Sequence, residues 1–399
     1  MVRKWLLGGL LLLLLSACQA EVVEIEGTRF VEVERPPEQE AATAVSQPKE
    51  PEPTPEPQII EVTRIVTQTV AVETESHLNM PASLGSAERP VQLLFPPDAG
   101  TAVINLRAQA VVDHLHQATD LAFAIGVADD EAAMIELLCM APADTIAFLS
   151  PLGYVRANEQ CAAQLGSVAV NADGLTWQAG MIVARNEQER RTLEDLAGLR
   201  GAIPDDALHK AAAVKAMLQT AGVEPAELID VQGDNAAMLA VFAGDVDFAV
   251  GTFTPPIMPA GEAPWQYGVD PNEIWRYLGL KPERSPIGYV LVSAEPELGG
   301  YRIRDARAGV FDIQPEIFNR TRIIELTPQI PNETMAFGAE FPIGLAHQVM
   351  NELQRFTASD ACQDSLCSSD FFNWTGLEPA DEALYEPLRD IVAAGVVDE

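Results

Sequence analysis

The sequence predicts an α/β protein of two similar lobes, each built on a parallel-rich sheet, with a hinge between them. Two observations carry that prediction. Strand-like and helix-like segments alternate from about residue 91 onward, which is the pattern of parallel strands joined by helical crossovers. One strand, acidic turn, helix and strand pattern also occurs twice, about a hundred residues apart.

The elements follow in order. Residues 91–95 are a short apolar strand, and residues 101–117 carry apolar side chains on one helical face. A strand at 121–127, a helix at 131–139 and a strand at 145–149 come next. The alternation continues through 179–184, 201–203, 210–221, 228–231, 236–242 and 246–250. Within this run, Val127-Ala128-Asp129-Asp130-Glu131-Ala132-Ala133-Met134 enters a helix, and Ala143-Asp144-Thr145 leads into a strand. Later, Val231-Gln232-Gly233-Asp234-Asn235-Ala236-Ala237-Met238 enters a second helix, with Val246-Asp247-Phe248 beyond it. Two lobes of one plan produce such a repeat, although any two βαβ units share part of the likeness. Open α/β sheets bind ligands at the carboxyl ends of their strands, so equivalent loops of two lobes converge on one cleft.

Ahead of this body stand a leader and a tether. Arg3 and Lys4 precede an apolar run over residues 5–15. That run is about half the ~20 residues a membrane span requires, and reads as a signal peptide. The Leu15-Ser16-Ala17-Cys18 sequence that follows resembles the lipobox of bacterial lipoproteins, which implies lipidation of Cys18. An ordinary signal peptide cut near Ala17 or Ala20 is the other reading. Residues 19–89 are rich in Glu and Pro, with a Pro-Glu-Pro-Thr-Pro-Glu-Pro run at 51–57. Such a composition favours an extended, disordered spacer.

Composition and charge exclude several functions. The net charge is −34 and no basic cluster follows Lys4, which argues against nucleic acid as a partner. No Gly-x-Ser-x-Gly elbow, phosphate loop or His-Glu-x-x-His helix is present, and the five histidines are scattered, so the chain does not read as an enzyme and calls for no cofactor. Setting Cys18 aside leaves Cys139, Cys161, Cys362 and Cys367. An even count in an exported chain points to disulfides, most economically the local pairs Cys139–Cys161 and Cys362–Cys367. A zinc site is the alternative, but no Cys-x-x-Cys motif or nearby His supports it.

Four segments resemble one known family, the phosphate/phosphite/phosphonate-type substrate-binding proteins of ABC importers. They are ADTIAFLSPLGYV at 143–155, LEDLAGLRGA at 193–202, the helix and strand at 233–250, and the stretches at 330–333, 374–381 and 385–390. The resemblance implies a two-lobed periplasmic-binding-protein fold of type II and an extracytoplasmic, lipid-anchored location. It also implies a small, possibly oxyanionic ligand, ABC permease subunits as partners and a monomer. A ligand-sensing or structural envelope lipoprotein on the same fold is the alternative function. The domains expected are a leader at 1–18, the tether at 19–89, lobe one at 90–181 and 329–399, and lobe two at 182–328, with lobe crossings near 179–184 and 325–333. Segment 254–321 matches the family least.

Phosphonate-binding members place a Ser-Thr-Ser-Gly turn at a helix start where this chain has Asp205-Asp206-Ala207-Leu208-His209-Lys210. The expected ligand contacts are Ser150 and Tyr154 on lobe one, and His209, Lys210, Asn235 and Asp247 on lobe two. His209 and Lys210 fit either a positive replacement for the missing turn or a solvated helix start. Asp247 fits a ligand contact or a buried capping carboxylate.

Overall fold

The structure is a computed structural model that describes residues 83–186, 190–205, 208–293, 299–393 and 395. The leader, Cys18 and almost all of the tether lie outside the described residues. Those described all belong to one unit, His77–Glu399.

The chain opens with β1 (Val91–Phe95), α1 (Thr101–Thr119), β2 (Phe123–Val127), α2 (Glu131–Met140), β3 (Thr145–Leu149), α3 (Pro151–Cys161) and β4 (Gln164–Val170). It passes to β5 (Trp177–Arg185), β6 (Arg200–Pro204), α4 (Leu208–Thr220), β7 (Glu227–Val231), α5 (Gly233–Ala243) and β8 (Phe248–Phe253). A three-stranded antiparallel sheet follows, β9 (Glu283–Arg284), β10 (Val290–Val292) and β11 (Tyr301–Ile303), and then the short helix α6 (Ile317–Arg320). The return comprises β12 (Thr321–Leu326), β13 (Ile330–Pro331), β14 (Thr334–Phe337), α7 (Ile343–Thr357), β15 (Gly376–Pro379) and α8 (Glu386–Ala393).

Local chemistry sets several boundaries. Asp130 caps α2 by accepting the Ala133 N–H at 2.7 Å, and Ser150 caps α3 by accepting the Gly153 N–H at 3.0 Å. Pro151 occupies the first turn of α3, where its missing N–H costs nothing.

Two sheets result. The first has the order β15-β4-β14-β3-β1-β2 and the second β12-β5-β8-β6-β7. In each, three neighbouring strands run parallel, β2-β1-β3 and β7-β6-β8, and an antiparallel strand, β14 or β5, lies against the third. The repeat in the sequence is therefore a repeat of topology, with Met134 and Met238 fully buried at equivalent helix positions.

The first crossing between sheets falls earlier than the sequence suggests. β5 pairs only within the second sheet, apart from its bond to β13, so the chain crosses at 171–176 and not at 179–184. It returns between β13 and β14, at Asn332 and Glu333.

α1 and α7 cover one face of the first sheet, and α2, α3 and α8 the other. That second layer extends to the other lobe. Ala212, Ala213 and Ala216 of α4 pack in the same apolar cluster as Tyr154, Tyr385, Leu388 and Ile391. Small side chains let the helices approach closely, and each buried methylene contributes about 0.8 kcal/mol. Both expected disulfides are present, Cys139–Cys161 joining the ends of α2 and α3, and Cys362–Cys367 beyond α7. No helix among the described residues is long and apolar enough to cross a membrane.

Candidate functional site

β6, β7 and β8 run parallel, so Pro204, Val231 and Phe253 end at one edge of the second sheet. β5 is antiparallel to β8, which brings Trp177 and Gln178 beside that same edge. A pocket of about 300 Å³ opens there between the lobes. Its walls come from the two crossings, from Thr252 to Thr254, and from Phe372 to Trp374 of the first lobe.

Aromatic rings flank the pocket from both lobes. On the first, Phe372 stacks on Trp374 with ring centroids 4.5 Å apart. On the second, Trp177 meets Tyr267 edge-on at 5.8 Å, and the Tyr267 hydroxyl donates to the Thr327 carbonyl at 2.7 Å. Trp374 is 2% exposed, and its buried indole N–H has no acceptor among the described residues. An unmet buried donor is costly, by about 1–3 kcal/mol.

The crossings themselves are fixed by Asn332. Its side-chain amide donates to the Ala169 carbonyl at 3.0 Å and to the Leu175 carbonyl at 2.8 Å, while its backbone N–H donates to Thr176. One buried side chain thus ties the outgoing segment to the returning one.

Of the residues expected at the site, Lys210 comes nearest to the pocket. Its ammonium donates to the Thr252 hydroxyl at 2.6 Å, and Thr252 lines the pocket. The backbone N–H of Thr252 is held in turn by Asp234 at 3.0 Å. Gly180 leaves room for Lys210 here, because a Cβ there would lie 3.0 Å from Thr327 and 3.3 Å from Lys210. His209 is different from expectation. Burial, with Lys210 and Arg156 nearby, pushes its pKa down to about 4, so the ring is neutral at pH 7 and supplies no positive charge.

Of the other four, Ser150, Tyr154 and Asp247 are engaged by the protein's own groups. Asn235 faces Gly309 of the following segment, with its side-chain oxygen 2.5 Å from where a Cβ would stand. Asp247 precedes β8, at the amino edge of the sheet and so opposite the pocket. There it accepts the Arg200 N–H at 3.0 Å and pairs with Arg190 at 3.1 Å. Burial opposes its ionisation, but those two donors hold its pKa below the ordinary carboxylate value. Its reading as a ligand contact is corrected to that of a capping carboxylate. Tyr154 is fully buried, edge-on to Tyr385 at 4.8 Å, and its hydroxyl donates to Glu382 at 2.5 Å. Burial and Glu382 push that phenol well above its ordinary pKa. It is core of the first lobe and not a cleft wall. Ser150 caps α3, and its N–H and hydroxyl both donate to Glu131, at 2.7 and 2.9 Å.

This last contact recurs in kind. Glu131 occupies the amino end of α3, and Asp205 accepts the Gly233 N–H at 3.1 Å at the start of α5. Helix starts of this sort attract free anions, but here the chain's own carboxylates fill them.

A family model described as the periplasmic substrate-binding protein of phosphonate ABC transporters matches residues 93–385. The chain belongs to that family. As a member it is an extracytoplasmic solute-binding protein, not an enzyme, and it delivers a small molecule to the permease of an importer. Solved structures that resemble it include XAC2383 from Xanthomonas citri bound to ATP, 14% identical over 79% of this chain and 97% of that one, with a TM-score of 0.48. A binding-protein component of an ABC phosphonate transporter from Pseudomonas aeruginosa is 13% identical over 76% and 85%, with a TM-score of 0.40. PhnD1 from Prochlorococcus marinus in complex with methylphosphonate is 13% identical over 77% and 98%, with a TM-score of 0.41. No protein of curated function matches the sequence.

The sequence reading missed Trp177, Thr252 and Trp374. Trp374 stands in a stretch that resembles the family, but as part of a returning strand. The available signal was a tryptophan at the start of β5 and another just before β15.

Proposed function

We propose that this binding protein holds its solute in the pocket between Trp177 and Trp374, and that the lobes close on it about 171–176 and 332–333. The observation that carries this reading is the buried, unmet indole N–H of Trp374 in a pocket with aromatic rings from both lobes. The ligand class it favours is a small solute with a flat or apolar portion for the rings and an acceptor atom for the indole. Lys210, held on Thr252, adds a positive charge at the pocket edge. Simple alkylphosphonates fit poorly, because the Ser-Thr-Ser-Gly turn is missing and carboxylates occupy the helix starts. Closure follows from contacts made by both lobes, which lower the free energy of the closed form relative to the open one.

The same reading gives the N-terminal region an anchoring role. Lipidation at Cys18 tethers the protein, residues 19–89 lift the body from the membrane, and the protein acts as a monomer because one chain supplies both walls of the pocket.

A thermal-shift screen of the full-length protein against amines, carboxylates, phosphonates and heteroaromatic vitamins identifies a solute. Trp374→Phe then keeps an aromatic ring and removes the pyrrole portion of the indole with its N–H. Calorimetry is expected to show about tenfold weaker binding in that variant, the scale of one buried hydrogen bond. Undiminished affinity in both Trp374→Phe and Trp177→Ala rejects this pocket as the site.

A further inference from the structure

The segment between β8 and β12 builds a second recess beside the pocket. It has a volume of about 290 Å³ and is lined by Arg284, Arg302 and Arg304 together with Tyr289. Asp173 and Thr254 line both this recess and the solute pocket, so the two are contiguous.

Three guanidinium groups around one small space stand out in a chain with only 25 Lys and Arg against 59 Asp and Glu. Arg302 and Arg304 are two residues apart, on β11 and just beyond it, and so share a face, while Arg284 stands on β9 at the far edge of the same small sheet and also lines the recess. Two of the three are neutralised by protein: Arg284 pairs with Asp312 at 2.6 Å, and Arg304 with Asp173 at 2.7 Å. Arg302 is not. Its guanidinium lies over the Tyr289 ring, 3.2 Å from the centroid, and makes no hydrogen bond to a described residue. Its planar set of donors is therefore available and held in a fixed orientation by the ring. Burial lowers the pKa of Arg304; the Asp173 charge offsets part of that, and the Arg302 charge adds a smaller lowering. An oxyanion in the recess satisfies the Arg302 donors.

We infer that this recess is an anion subsite that receives an oxyanion group, a carboxylate or a phosphoryl or sulfonyl oxygen set, at the charged end of the solute held in the neighbouring pocket. The inference rests on the pocket reading above for its connection to the solute, but not for the binding of an anion. Guanidinium recognises such groups through two parallel hydrogen bonds, which an ammonium at the same place does not reproduce. The site does not use a helix start, so it is compatible with the carboxylates that fill those of α3 and α5.

The test is calorimetric titration of the full-length protein with inorganic phosphate and with sulfate, at constant ionic strength set with chloride. The wild type is expected to bind one anion in the millimolar range. Arg302→Gln should weaken that binding about tenfold or more, and Arg302→Lys should restore little of it. Trp177→Ala and Trp374→Phe should leave it intact, which separates the recess from the pocket. Saturable binding that is absent in the wild type, or that survives Arg302→Gln and is lost in Lys210→Met, overturns the subsite. In either of those cases the pocket reading stands or falls on its own variants. Circular dichroism of each variant confirms that the fold is retained.

Discussion

His209 shows how one residue changes meaning between sequence and structure. Beside Lys210 at a helix start it reads as a second cation. Enclosed against α3, with an Nδ1 that meets no partner among the described residues, it is held neutral instead. The consequence for stability has a definite sign. The pKa falls from 6.5 to about 4 on folding, so the unfolded chain takes up the proton first as pH drops. Stability from this residue is therefore whole above about pH 6.5 and is lost progressively toward pH 4, by up to about 3 kcal/mol. His209→Leu should flatten that limb in urea denaturation midpoints measured across the same window. An unchanged acid limb in the variant rejects the assignment. Tyr154 teaches the same lesson from the apolar side. Its place in a family-like motif was legible, but the direction of its ring depends on Glu382 and Tyr385, just ahead of α8 and more than two hundred residues further along.

At the scale of elements, the alternating strands and helices up to β8 were legible because each apolar run has its own period. Segment 254–321 was not. Its interior is partly ionic: Arg307, fully buried, pairs with Asp305 at 2.9 Å and Glu273 at 2.7 Å, and Arg276 joins Glu273 at 2.6 Å. Charged residues in a sequence read as surface, and only packing reveals that these four neutralise one another. The hinge was legible only in outline, since β5 enters the second sheet earlier than its apolar core suggests. Asn332 gives the hinge its definition by bonding both crossing segments. Asn332→Ala should lower stability by about 1–3 kcal/mol, because the buried Ala169 carbonyl loses its side-chain donor and the tie to Leu175 is cut. Asn332→Asp should cost more, since a carboxylate then faces those carbonyls. Guanidinium denaturation curves measure both, and a change within error for the two variants argues against the tie.

For the whole molecule, the proposed anchor and the proposed solute pocket belong to separate regions of the chain. Cys18→Ser should move the protein from the membrane to a soluble fraction and abolish labelling by fatty-acid analogues, while leaving solute affinity unchanged. Continued labelling in that variant excludes Cys18 as the anchor. The sequence by itself determined the two-lobed α/β class, the family, the exported character and both disulfide pairs. Each of these follows from local periodicity, short motifs or near-neighbour cysteines. Only the tertiary structure decided which residues face the cleft. The carboxyl edge of the second sheet is assembled from β6, β7 and β8 and closed by Trp177 on β5, and its far wall comes from Trp374 near the chain's end. It also decided that Asp247 lies on the opposite edge and that Glu131 and Asp205 fill helix starts that a free anion would otherwise use. Those outcomes depend on contacts between segments remote in sequence, and on burial, which removes charges from water at a cost that no local pattern records.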